Sequence, residues 1–104
     1  MDTTTPAARF SHVARRLGAA TRAAGLVVPA FRTPPRHAAA NRTIRRLPGG
    51  PVVAVRIKGR SFAQVVGDLV DGVIVANCLD ERTATRVRTS LLAALDLPGD
   101  ARAA

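Results

Sequence analysis

The sequence predicts a small α+β fold, a single layer of short antiparallel or mixed strands covered by helices in the order α-β-β-α-(β)-α. Three observations predict it. Large apolar residues recur at helical spacing near both ends of the chain, at Phe10, Val13 and Leu17 and again at Val87, Leu91 and Leu95. Between these stretches Val53, Val55 and Ile57 alternate with Ala54, Arg56 and Lys58, the period of a half-buried strand. Pro48-Gly49-Gly50 separates that run from Arg42 to Leu47, as a hairpin requires.

The first helix spans Pro6 to Ala24. Thr5 can serve as its N-cap, Pro6 suits the first helical position, and Gly25 is a left-handed stop followed by Leu26. Phe10, Val13, Leu17, Ala20 and Ala24 make one stripe, and Arg9, His12, Arg15, Arg16 and Arg22 spread over the rest of the circumference. Residues 26–41 follow as a connection, with Pro29, Pro34 and Pro35 and no sustained period. The hairpin occupies residues 42–58, with one strand over Arg42 to Leu47 and the other over Val52 to Lys58. A turn centred on Pro48-Gly49 sets Ile44 against Val53 and Arg42 against Val55 on one face. Arg45, Val52, Ala54, Arg56 and Lys58 take the other face.

Ser61-Phe62-Ala63-Gln64 is a capping box, so a helix starts there and runs through Phe62, Val65, Val66, Leu69 and Val70. Beyond Asp71 two readings compete. One continues the helix to about Asn77; the other ends it at Asp71 and makes Val73 to Cys78 a strand. The strand is preferred, because Gly67 and Gly72 would each cost a continuous helix about 1 kcal/mol and Val73-Ile74-Val75 is β-branched. The last helix is capped by Asp80, carries Glu81 in its first turn and buries Ala84, Val87, Leu91 and Leu95. Leu97-Pro98-Gly99 ends it, and the residues to Ala104 read as a tail.

The 104 residues are read as one small basic domain. Only 28 side chains (Val, Leu, Ile, Phe, Met) can bury much area, because 20 of the apolar residues are alanine. The core is therefore thin, and a bound partner or a second copy would add to its stability. Cys78 has no partner for a disulfide and lies in an apolar run, so it reads as a buried structural thiol. No apolar stretch approaches a membrane span and no signal-peptide core follows Met1, which predicts a cytoplasmic protein without integral membrane association. The Arg-rich, acid-free start also has the character of an organellar transit peptide, but the basic stretch continues past where a removable leader would stop.

Catalysis finds no constellation. His12, His37 and Cys78 cannot be assembled with an orienting acid at any defensible spacing, so no catalytic residue, cofactor or metal site is predicted. Asp68 and Asp71 share a helix face but lack further ligands. Gly49-Gly50 has no following Lys-Ser or Lys-Thr and is read as a turn, not a phosphate loop. Lys58-Gly59-Arg60-Ser61-Phe62 has a basic-glycine-aromatic look, yet the capping box makes it a helix start. With Phe10, Phe31 and Phe62 as the only aromatics, an aromatic base-stacking platform is not expected.

The charge distribution is the informative feature. The net charge is +9, with 15 Arg against one Lys, a skew that a high-GC genome produces through its codons alone. Codon bias does not explain the acids: Thr3 to Gly67 contains none and carries +12, whereas Asp68 to Ala104 carries −2. Arg9, Arg15, Arg16 and Arg22 on the first helix, Arg32 and Arg36 on the connection, and Arg42, Arg45, Arg46, Arg56, Lys58 and Arg60 around the hairpin are the candidate anion-binding residues. Their planar forks suit phosphate or carboxylate. The leading expectation is a non-enzymatic accessory protein held on nucleic acid by phosphate contacts. The alternative is an interaction module that docks on an acidic protein or homodimerises. Attachment to anionic lipid through the first helix comes third, because its stripe has few large apolar groups.

Overall fold

The computed structural model describes residues 6–95. Its elements run α1 (Pro6–Ala23), β1 (Ala30–Arg32), β2 (Arg42–Leu47), β3 (Gly50–Val55), α2 (Phe62–Ala76) and α3 (Glu81–Ala94), an α+β fold with a three-stranded mixed sheet. The predicted cap at Thr5, the Leu97-Pro98-Gly99 stop and the tail lie outside the described residues.

In α1 the stripe of Phe10, Val13 and Leu17 is buried as its spacing predicts. Thr21 completes it in place of Ala24: it is fully buried, and its hydroxyl donates to the Leu17 carbonyl at 2.7 Å. Gly25 stops the helix at φ 76°. Its N–H donates to the Arg22 carbonyl at 2.9 Å and that of Leu26 to Thr21 at 3.1 Å, the paired bonds of a Schellman motif.

The connection is not structureless. Ala30–Arg32 forms β1, which pairs in parallel with β3, Phe31 opposite Val53. A three-residue strand has no period of its own to detect, and its partner lies some twenty residues later, so the segment alone gives no signal. The β2–β3 hairpin has the predicted register, with Ile44 opposite Val53 and Arg42 opposite Val55. β3 ends at Val55 rather than at Lys58, because the chain turns at Lys58-Gly59, with Gly59 at φ 78°, to enter α2.

The strand preferred over Val73 to Cys78 does not form; α2 continues to Ala76. Its capping box is present, Ser61 Oγ accepting from the Gln64 N–H at 3.1 Å and Gln64 Oε1 from the Ser61 N–H at 2.9 Å. The reason for the continuous helix is contact with the sheet. A Cβ on Gly72 would lie 2.6 Å from Val53 Cγ1, so glycine lets α2 press onto β3, and Val70, Val73 and Ile74 are buried by that approach. Their burial outweighs the helix cost of two glycines. A second Schellman motif closes α2, with bonds from the Cys78 N–H to Val75 at 3.1 Å and from Leu79 to Ile74 at 3.3 Å. Cys78 is its left-handed residue at φ 54°, and it is exposed, which corrects the expected buried thiol: the left-handed turn carries it off the helix. Asn77 ties this end to the connection. Its Oδ1 accepts from the Val27 N–H at 2.8 Å, while Nδ2 donates to the carbonyls of Val27 at 2.9 Å and Val73 at 2.8 Å.

Asp80 caps α3 by accepting from the Thr83 N–H at 2.8 Å. The backbone N–H and then the side chain of Thr83 hold the Asp80 carboxyl below its ordinary pKa. Ala84, Leu91 and Leu95 are buried and Val87 partly so. The buried side chains form a cluster that α2 joins to β2 and β3, with α1 and α3 packed on α2 and on each other. By strand alternation Arg32, Thr43, Arg45, Leu47, Val52 and Ala54 share the opposite face of the sheet. Among the described residues no helix is long and apolar enough to cross a membrane.

Candidate functional site

The fold sets two groups of the predicted cations apart. In the first, the charge serves the architecture. Arg46, on the core side of β2, reaches the C-terminus of α2 and donates to the carbonyls of Val75 at 2.8 Å and Ala76 at 3.1 Å, with Cys78 Sγ 3.2 Å away. Arg16 donates to the Ala94 carbonyl at the end of α3, 3.1 Å. Both place a cation where the helix dipole and unpaired carbonyls favour one. Arg42 turns inward and is half-buried. Arg16 and Arg46 remain exposed while donating to helix ends, whereas Arg42 has a guanidinium nitrogen buried without a hydrogen-bond partner among the described residues. Arg15 and Arg22 stay exposed on α1, and Arg32 and Arg45 are exposed on the helix-free face of the sheet.

The second group is gathered into one place. Arg9 from α1, Arg36 from the connection, and Arg56, Lys58 and Arg60 from the segment between β3 and α2 all line a cleft of about 810 Å³. Among the described residues no carboxylate lines it. Its apolar wall is made by Phe10, Pro34, Ile57 and Phe62. The Phe10 and Phe62 rings stack at 5.5 Å between centroids with 23° between planes, and the Arg9 guanidinium lies 4.0 Å from the Phe62 centroid. A planar cation over an aromatic face is attractive and fixes the cation's orientation.

The remaining geometry orders the rim. Arg60 is paired with Asp68 and also donates to the Arg56 carbonyl at 3.3 Å, so its charge is neutralised and it holds the turn. Arg56 donates to the Ala38 carbonyl, which draws the connection toward the β3 exit. Arg36 and Lys58 are exposed. Phe62 is the first residue of α2, so the N-terminal turn of that helix borders the cleft. A site of this kind attracts anions, and its flat apolar wall suits an anion that carries a planar body.

Adjoining it is a narrower cleft of about 320 Å³ that shares Phe10, Thr33 and Ile57 and continues between α1, β1 and α2 past Phe31 and Leu69. Sequence reasoning missed both, because Thr33 and Pro34 carry no motif and their position depends on β1. The chemistry-bearing residues outside the clefts stay dispersed. His12 and His37 are exposed, and no group of three or more metal-ligating side chains occurs among the described residues. Asp68 and Asp71 do not act together: Asp71 pairs with Arg88 at 3.0 Å. No known protein family, curated protein or solved structure matches the chain.

Proposed function

We propose that the protein is a small non-enzymatic cytoplasmic accessory factor that binds nucleic acid through phosphate contacts, with the cationic cleft as its seat. The observation that carries this reading is the convergence of four cations, Arg9, Arg36, Arg56 and Lys58, besides the Asp68-paired Arg60, from three separate segments on a cleft that no carboxylate lines among the described residues. Codon bias accounts for arginines in number, not for their meeting in one place while Arg16 and Arg46 are used on helix ends. Exposed Arg36 and Lys58 are the side chains free to grip phosphate, and Arg9 and Arg56 add charge held in fixed positions. Backbone recognition of this kind carries little sequence preference.

The test is fluorescence-anisotropy titration against single-stranded DNA, RNA and duplex at several salt concentrations. About four phosphate contacts on a single strand predict a log–log salt slope near −3. Arg36→Ala combined with Lys58→Ala is expected to weaken binding about tenfold or more and to flatten the slope by about 1.4. The pair Arg15→Ala with Arg22→Ala, on α1 and outside the cleft lining, is expected to change affinity much less. Absence of binding at low salt would remove the reading. The second reading, self-association, is favoured by the helix-free sheet face, where Leu47 is 43% exposed beside Val52.

A further inference from the structure

We infer that the cleft seats an unpaired nucleotide, so that the ligand is single-stranded nucleic acid with a base stacked on Arg9; this rests on the nucleic-acid reading above and adds its substrate class. The argument starts from the layered stack Arg9 over Phe62 beside Phe10. The Phe62 ring is half-buried and carries the Arg9 guanidinium over its face, while Arg9 itself is exposed and lines the cleft, so the ring backs a guanidinium that a base can reach. Single-strand binding proteins stack bases on arginine planes as well as on aromatic rings, and the contact tolerates every base because each has a π-face. Three aromatics in the chain were too few for a platform of rings alone; a guanidinium backed by a ring supplies the flat surface instead.

Position fixes the rest. Arg36 and Lys58 line the same cleft as Arg9, so a phosphate held by them puts its base within reach of the stack. The volume, about 810 Å³, is ample for a nucleotide and falls in the usual range of ligand clefts. A second cleft of about 320 Å³ shares Phe10, Thr33 and Ile57 with the first, so there is room beside the seated nucleotide for its neighbour in a strand. A duplex has its bases paired and stacked and cannot offer one to the cleft without unstacking it.

The experiment compares three fluorescein-labelled probes of equal length, oligothymidylate, the same strand with abasic sites, and a duplex, on the full chain and on Arg9→Lys. The substitution keeps the charge and removes the plane. The wild-type protein is expected to bind oligothymidylate about fivefold or more tighter than the abasic strand. Arg9→Lys is expected to abolish that difference, bringing the affinity for oligothymidylate down to that for the abasic strand. Equal affinity for base-carrying and abasic strands, or duplex binding as tight as single strand, would overturn the inference and leave the phosphate reading standing. So would an Arg9→Lys protein that keeps the full preference. Failure of all three probes to bind at low salt would overturn both.

Discussion

Gly67 and Gly72 lie five residues apart on one helix and have opposite reasons to be glycine. A Cβ on Gly67 meets nothing within 4 Å, so the residue carries only the entropic cost of glycine in a helix. Gly67→Ala is therefore expected to stabilise the fold by about 0.5–1 kcal/mol. Gly72→Ala drives a methyl into Val53, whose β-branched side chain is fully buried on β3 and has nowhere to turn, and is expected to cost about 1–3 kcal/mol. Chemical denaturation of the two variants checks both signs in one comparison. Sequence alone assigned the two glycines the same meaning because the neighbour that distinguishes them lies some twenty residues away. Asp80 makes a further prediction at this scale. Its carboxyl is held below the ordinary value by hydrogen bonds from Thr83, so its charged form stabilises the folded state above the unfolded-state pKa. That contribution is lost as pH falls through the folded pKa. Asp80→Asn keeps a good cap without the charge. The wild-type advantage over Asp80→Asn in urea midpoint is expected at neutral pH and should disappear toward acid.

Elements with local signals were legible, and those defined by distant partners were not. The Pro6 start of α1 and its Gly25 stop, the Ser61–Gln64 box and the Asp80 cap are contained within a few residues, and all three helices begin or end where these signals stand. The hairpin register followed from Pro48-Gly49 and the valine alternation. β1 was invisible because three residues have no period, and the end of α2 was misread because the β-branched run Val73-Ile74-Val75 belongs to a helix packed on a sheet. Propensity lost there to burial. Arg46 shows the same dependence: on a strand read as presenting cations to solvent, it closes the C-terminus of α2 from thirty residues away. Arg46→Ala is expected to destabilise the protein by about 1–2 kcal/mol, since it strips the Ala76 carbonyl of its guanidinium donor, leaves Val75 with its bond from the Cys78 N–H alone, and removes a cation from the helix end. Thermal unfolding of Arg46→Ala beside Arg45→Ala checks this, because Arg45 is exposed on the open sheet face and its loss should leave the midpoint almost unchanged.

For the molecule as a whole, the charge asymmetry of the sequence located the candidate site only coarsely. The acid-free stretch contains every cation of the cleft, yet it also contains Arg16, Arg42 and Arg46, which the fold uses elsewhere or turns inward. Counting charge cannot separate a guanidinium that serves a helix end from one that faces a ligand; only the tertiary placement of the connection against α1 and α2 does that. Phe10 and Phe62 were likewise assigned to the core by their helical spacing, and the spacing was right, since Phe10 is buried. What spacing could not reveal is that Phe62 is half-buried with Arg9 above it.

One wall of the cleft, Thr33, Pro34 and Arg36, follows directly from β1, a strand of three residues at the edge of the sheet. Its ladder to β3 is the shortest in the protein's sheet, and the segment beyond it is drawn back toward the hairpin by Arg56 at the Ala38 carbonyl. Short edge pairings are where local opening is cheapest. The wall that bears Arg36 therefore follows the shorter of the sheet's two ladders, while Phe10 and Phe62 stand on helices joined to the core. A ligand that bridges Arg36 and Lys58 is expected to slow amide exchange first at Phe31 and Arg32, ahead of any change in the helices.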